Sequence, residues 1–162
     1  MAKRLGARLT GEVIQKIKKE SNLKTDEAIL LASVGDEGYP NIALLSYLDI
    51  SVVSAKRLVV AIGEYSSSKK NLCKRGFGTL IFWVGKDYGV CYVKGKFSLI
   101  KERLGSDVEG FNCSAFLMNV VELSQDHSKA ARLLSTVTYD IRKTNTAHSE
   151  LFRELVSIAK RI

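Results

Sequence analysis

The stretch Ala28–Ile50, "AILLASVGDEGYPNIALLSYLDI", decides how the rest of the chain is read. An apolar run, Ala28–Val34, stops at Gly35-Asp36-Glu37-Gly38-Tyr39-Pro40, and a second run follows from Asn41 to Ile50. Two glycines and the only proline supply a positive φ and a fixed bend, so the segment reads as strand, turn, strand. A hairpin commits both strands to antiparallel pairing.

Working outward, Arg57–Gly63 (RLVVAIG) reads as a third strand and Gly76–Val84 (GFGTLIFWV) as a fourth. Val93, Gly95, Phe97 and Leu99 alternate with Lys94, Lys96 and Ser98, a strand with one wet face. Ser114–Leu123 (SAFLMNVVEL) is a last strand with large apolar side chains in both registers. The short spacings leave little room for crossover helices and favour an antiparallel barrel over a doubly wound sheet. Ahead of the barrel, Thr10–Ser21 puts Val13, Ile14 and Ile17 on one helical face. Behind it, Asp126 reads as the cap of a helix through Ala130, Leu133, Leu134, Val137 and Ile141, although Thr136-Val137-Thr138 is β-branched. A final helix, Thr146–Ile162, carries Leu151, Leu155, Ile158 and Ile162 on one face and Lys160 and Arg161 at its end. The expected fold is α+β, mainly β, in one domain over 1–162. The barrel spans about 28–123, the N-terminal helix about 10–21 and the C-terminal helices about 126–162.

Composition narrows the chemistry. At 162 residues the chain can bury roughly 70% of its extended surface. Three cysteines, Cys73, Cys91 and Cys113, show no paired spacing, which points to a reducing, cytoplasmic setting. The N-terminal stretch lacks the apolar segment of a secretory signal, and no apolar run reaches the ~20 residues of a membrane span. His127 and His148 form no ligand pair and there is no CxxC, so no metal site is expected. The serines lack a GxSxG elbow, and Phe97 stands where a P-loop needs Ser or Thr. Net charge is +8, which favours an anionic partner: a phosphorylated cofactor, nucleic acid or an acidic protein.

One segment answers that charge. Val59–Leu72, "VVAIGEYSSSKKNL", turns from an apolar strand into three serines, two lysines and an asparagine. If Ser67 or Ser68 caps a short helix through Cys73, hydroxyls and first-turn N–H groups form an anion cradle, with Lys69 and Lys70 as point charges. The plain alternative is a capped, serine-rich loop with solvated lysines.

In its order of segments the sequence resembles the FMN-binding split-barrel superfamily, which includes pyridoxamine 5′-phosphate oxidase and small FMN-binding proteins. The likeness runs over about 28–123 through "AILLASVGDEGYPNIALLSYL", "RLVVAIGEYSSSKKNL", "GTLIFWV" and "YVKGKFSLI". It implies a six-stranded antiparallel split β-barrel and a homodimer holding FMN at the subunit interface. It also implies site residues: Ala43, Leu44, Leu45 and Ser46 along the flavin ring, and Ala61, Ile62 and Gly63 near the ribityl chain. Ser66, Ser67, Ser68, Lys69 and Asn71 would lie at the phosphate. Ser66-Ser67-Ser68 stands where the oxidases have Ser-Arg-Lys, and their C-terminal arginine and tryptophan motif is missing, so oxidation of pyridoxamine phosphate is disfavoured. Tyr47, Trp83, Tyr88 and Phe111 are candidates for ring stacking, with core or interface placement as the alternative. The resemblance thus implies an FMN-dependent oxidoreductase, with flavin reduction by NAD(P)H as one form. The alternatives are an FMN-binding electron carrier or store and, less favoured, a nucleic-acid-binding barrel.

Overall fold

The structure is a computed structural model that describes residues 2–23, 26–85, 89–105, 112–126, 135–138 and 146–162. Its strands are β1 (Lys3–Gly6), β2 (Ile29–Val34), β3 (Pro40–Leu45), β4 (Ile50–Ser54), β5 (Arg57–Gly63), β6 (Phe77–Val84), β7 (Gly89–Leu104) and β8 (Cys113–Asp126). Three helices accompany them: α1 (Gly11–Leu23), α2 (Ser67–Arg75) and α3 (Thr146–Arg161). The mainly antiparallel α+β architecture is as expected, but the sheet has eight strands rather than six.

The hairpin forms as the turn residues dictate. Gly38 adopts φ 83°, and the Gly35 N–H donates to Tyr39 O at 3.3 Å. That fixes the register Val34↔Pro40 through Ile29↔Leu45. The second run is not one strand to Ile50. It ends at Leu45, where Ser46 caps a 3₁₀ turn over Tyr47–Asp49: Leu48 N–H donates to Ser46 Oγ and Asp49 Oδ2 accepts from Ser46 N–H. A new strand, β4, then begins.

The strand order is β3-β2-β6-β7-β8-β5-β4, with β1 joining β8 off this path. β3 and β4 are neighbours in sequence yet stand at opposite ends of that order. The sheet must curl for one short turn to join them, which yields a barrel left open between β3 and β4. Each of these two strands is paired on one side only among the described residues.

Burial follows the pleat. Ile29 and Leu31, Leu58, Val60 and Ile62, Leu80 and Phe82, and Phe116 and Met118 fill the barrel, closed by Val13 and Ile17 of α1. A second cluster lies outside the wall, where Val59, Ala61 and Ala115 meet Leu151, Leu155 and Ala159 of α3. β5 is therefore buried on both faces, which explains its unbroken apolar run. The same packing explains part of the two apolar registers of β8: one faces the barrel, and at Ala115 and Leu117 the other joins the cluster under α3, while Val121 stays exposed.

α3 docks as its periodicity predicts, with Lys160 and Arg161 exposed. Ala159 takes the buried place at its end, while Ile162 is exposed. The helix expected from Asp126 needs correction. Asp126 is the last residue of β8, pairing with Val90. Residues 135–138 are not helical: Thr138 bridges Glu27, and the Val137 carbonyl accepts from the Ala28 N–H at 2.7 Å. The β-branched side chains prefer this extended pairing. Ala130, Leu133, Leu134 and Ile141 lie outside the described residues.

Candidate functional site

The turn from β5 into α2 builds the site. Ser66, not Ser67 or Ser68, is the cap: its Oγ accepts the Lys69 N–H at 3.1 Å and its hydroxyl donates to Gly63 O at 2.7 Å. At the other end Gly76 sits at φ 69° and closes the helix, with Lys74 and Arg75 in the last turn complementing the helix dipole. Asn41 Nδ2 donates to Ser68 Oγ at 2.9 Å, and Asn71 Nδ2 donates to Ser33 Oγ at 3.1 Å. These two bonds tie α2 to the β2–β3 hairpin, and both Ser68 and Asn71 are buried.

Lys69 is likewise committed. Its ammonium pairs with the Glu64 carboxylate, whose other oxygen accepts a hydrogen bond from Ser114. The Lys69 and Ser114 hydrogen bonds hold the Glu64 carboxyl below its ordinary range, and the Glu64 bond raises the Lys69 ammonium. Among the described residues, the polar side chains of Tyr65, Ser67 and Lys70 remain uncommitted. Ser67 and Lys70 are exposed, and neither is hydrogen bonded or ion paired among the described residues. Both line two clefts that meet at the start of α2. One, of about 420 Å³, runs along Gly35, Asp36, Glu37, Tyr39, Pro40 and Asn41; the other, of about 290 Å³, runs along Glu64, Tyr65 and Cys73.

Among the site residues implied by the resemblance, Gly63, Ser66, Ser67, Ser68, Lys69 and Asn71 thus gather around the first turns of α2. Ala43, Leu44 and Leu45 lie further along β3, with Ser46 just past its end, and none lines either cleft. Leu44 is exposed, Ala43 is half-buried and Leu45 faces the core, while Ser46 is engaged as a cap. Ala61 and Ile62 send their side chains into the two cores. On one side their backbone pairs with Ala115 and Ser114; on the other the β4 ladder ends at Ile50↔Val60. Tyr47 is buried with its hydroxyl on Glu27 Oε1 at 2.7 Å, and Trp83 also belongs to the core, so neither ring is available for stacking. Tyr88 and Phe111 lie outside the described residues.

The sequence pattern missed Glu64 and Ser114, which hold Lys69, and Asn41 and Ser33, which orient α2. Only Glu64 left a signal, as an acid five positions before a lysine across a turn. Burial pushes the Cys91 thiol up to about 12 and that of Cys113 up to about 11, which argues against either as a nucleophile. Among the described residues no cluster of His, Cys, Asp and Glu could hold a metal ion. No described helix is long and apolar enough to cross a membrane.

This architecture defines the class. The fold is the split barrel of pyridoxamine 5′-phosphate oxidase-like and FMN-binding proteins. It is similar to a candidate pyridoxamine 5′-phosphate oxidase from Lactobacillus delbrueckii, with TM-score 0.53 and 18% identity, covering 75% of this chain and 98% of that one. It is equally similar to an FMN-binding protein from Syntrophomonas wolfei, with TM-score 0.53 and 15% identity, covering 71% and 86%. A heme binding protein from Mycobacterium smegmatis aligns with TM-score 0.51 and 9% identity over 74% of this chain and 57% of that one. No family model matches the sequence, and no curated protein matches it. At these identities the likeness establishes the fold.

Proposed function

We propose that the chain binds FMN, with the phosphate at the first turn of α2 and the ring along the unpaired edge of β3, and acts as an FMN-dependent oxidoreductase. One observation carries the reading. Ser67 and Lys70 are exposed without a hydrogen bond or ion pair of their side chains among the described residues, beside the positive end of a helix and at the junction of two clefts. The 420 Å³ cleft leads from them to Pro40 and Asn41, where the edge of β3 begins. That edge keeps the N–H and C=O groups of alternate residues unpaired, as recognition of a heteroaromatic rim requires.

Bound flavin supplies hydride and electron transfer by its own chemistry. The protein's part is to hold it. Ser67 donates a hydroxyl, Lys70 offsets phosphate charge, and the Ser67 and Ser68 backbone N–H groups complete the cradle. Asn41 and Asn71 fix α2 against the strand along which the ring lies. No acid or nucleophile is needed for this, in keeping with the raised thiols of Cys91 and Cys113.

A second copy of the chain completes the proposal. Ile42, Leu44 and Phe77 are 53%, 62% and 61% exposed, and the register puts them with Val34 on one outer face of β3, β2 and β6. Such a contiguous apolar face suits a homodimer interface beside the flavin edge. NAD(P)H is the proposed electron donor.

Titration with FMN and riboflavin tests the cradle. FMN should bind more tightly by the about 1.5–3 kcal/mol of one charge-assisted hydrogen bond, or more. Equal affinities would remove the reading. Anaerobic bleaching of the bound flavin by NAD(P)H distinguishes the oxidoreductase from a passive flavin carrier.

A further inference from the structure

A larger cleft of about 620 Å³ opens between α1, the edge strand β4 and α3. This volume falls within the roughly 300–1,000 Å³ of small-molecule sites. Its lining includes the consecutive residues Ile50, Ser51, Val52 and Val53, so the cleft follows the unpaired edge of β4. Ile17 of α1 and Phe152 and Val156 of α3 supply apolar walls.

Its charge is one-sided. Lys18 of α1, Arg57 at the start of β5 and Lys160 in the last turn of α3 all line the cleft, and among the described residues no Asp or Glu side chain does. None of the three is ion paired or hydrogen bonded through its side chain among the described residues. By contrast Lys16, Lys69, Lys74, Lys94 and Lys101 each have a carboxylate partner. Three elements distant in sequence therefore bring unneutralised cations to one apolar cleft. An uncharged apolar ligand would have no use for them, and a polar anion would have no use for the walls.

We infer that this cleft is a second binding site, for an amphiphilic carboxylate with an unbranched acyl chain. The chain lies along Ile17, Val52, Phe152 and Val156, and the carboxylate meets Arg57, whose planar fork can engage both oxygens, with Lys18 and Lys160 at the rim. The site shares no residue with the α2 clefts and does not rest on the FMN reading.

Calorimetric titration of the full-length protein with octanoate, decanoate and dodecanoate is the test. One-to-one binding should tighten by about fourfold per methylene, the increment for removing a CH₂ from water. Dodecanol should bind at least tenfold more weakly than dodecanoate. Arg57→Gln should narrow that difference without changing the dodecanol affinity. Val156→Glu, on the half-buried face of α3, should abolish dodecanoate binding while the circular dichroism spectrum stays unchanged. FMN at saturating concentration should leave the dodecanoate affinity unaltered. Absence of dodecanoate binding, affinity independent of chain length, equal binding of the alcohol, or competition by FMN would each overturn the proposal. Tighter binding of an acidic peptide than of dodecanoate would overturn it in favour of strand addition at β4.

Discussion

Lys69 and Glu64 form an ion pair across the turn between β5 and α2, with side chains only 13% and 17% exposed, and Ser114 of β8 donates to the same carboxylate. The pair joins the start of α2 to the barrel wall and removes Lys69 from the pool of cations open to a ligand. In the proposed phosphate site Lys70, one position on, takes that role. Lys70→Ala should therefore weaken FMN by roughly tenfold or more, the effect of losing one charge-assisted contact, and leave riboflavin nearly unchanged. Lys69→Ala should act chiefly on stability. Parallel flavin titrations and denaturant melts of the two variants separate these roles; the opposite pattern would return the phosphate to Lys69.

The same pair gives a pH dependence whose sign is fixed. The folded Glu64 carboxyl titrates below its ordinary 4.5, so its contribution is present above that value and fades as pH falls through the lower folded value. The folded Lys69 titrates above 10.5, so its contribution is present below that value and fades as pH rises through the higher folded one. Glu64→Gln should consequently cost most near neutral pH. Urea melts at a series of pH values should show the gap between wild type and variant closing in acid. A gap that stays constant down to strong acid would remove the ion pair as its cause.

Much of this arrangement was legible in the sequence, and the missing part has physical reasons. The hairpin could be read because Gly38 and Pro40 act locally. α2 was legible from its serines, but its cap is Ser66 rather than Ser67 or Ser68. It runs past Cys73 to a stop at Gly76, which in the sequence reads as the start of a strand. β4 was hidden because the capping box of Ser46 and Asp49 interrupts an apolar run without changing its hydropathy. Thr136–Thr138 could not be settled locally, since their partner, Glu27, is more than a hundred residues away in the chain. The two apolar registers of β8 invite a partner subunit, yet the outer one meets the α3 cluster at Ala115 and Leu117. Which lysine stays free depended on Ser114 and Glu64 meeting across β5 and β8, a contact that no spacing encodes.

Close packing makes Gly95 a sensitive position. A Cβ there would lie 2.6 and 2.7 Å from Met118 side-chain atoms and 2.9 Å from the Asn119 carbonyl oxygen, beside the register shift between Lys94 and Gly95. The methionine can move, but the carbonyl belongs to the paired β8 strand. Gly95→Ala should destabilise by about 1–3 kcal/mol, the usual cost of overpacking. Adding Met118→Ala should recover less than the whole loss, because the backbone contact remains. A neutral Gly95→Ala in a chemical denaturation series would show that the β7–β8 bulge can yield.

The outer face of β3, β2 and β6 can be tested by charge. Leu44 is 62% exposed in the single chain and should be covered in a homodimer. Leu44→Glu would bury a carboxylate in that interface while costing the isolated chain little. Analytical ultracentrifugation should find a wild-type dimer and a monomeric, folded variant at micromolar concentration. A wild-type protein that sediments as a monomer would count against the interface.

α3 provides the last prediction. Its Leu155 is fully buried against a cluster holding Val59, Ala61 and Ala115, on the outer side of the β5–β8 wall. Glu154 fixes the helix from its flank, accepting from Lys101 Nζ at 2.6 Å and from the Gly105 N–H at 2.7 Å. Burial alone would raise this carboxyl, but the two bonds outweigh it and the group titrates below its ordinary value. Leu155→Ala should cost about 2–5 kcal/mol, the range for emptying a buried leucine site. Glu154→Gln should cost less, because its ion pair is partly solvated. If Leu155 and Val59 act through one shared contact, Leu155→Ala and Val59→Ala should be non-additive by more than about 0.5 kcal/mol. If α3 were a loosely held appendage, Leu155→Ala would leave the denaturation midpoint of the barrel where it was.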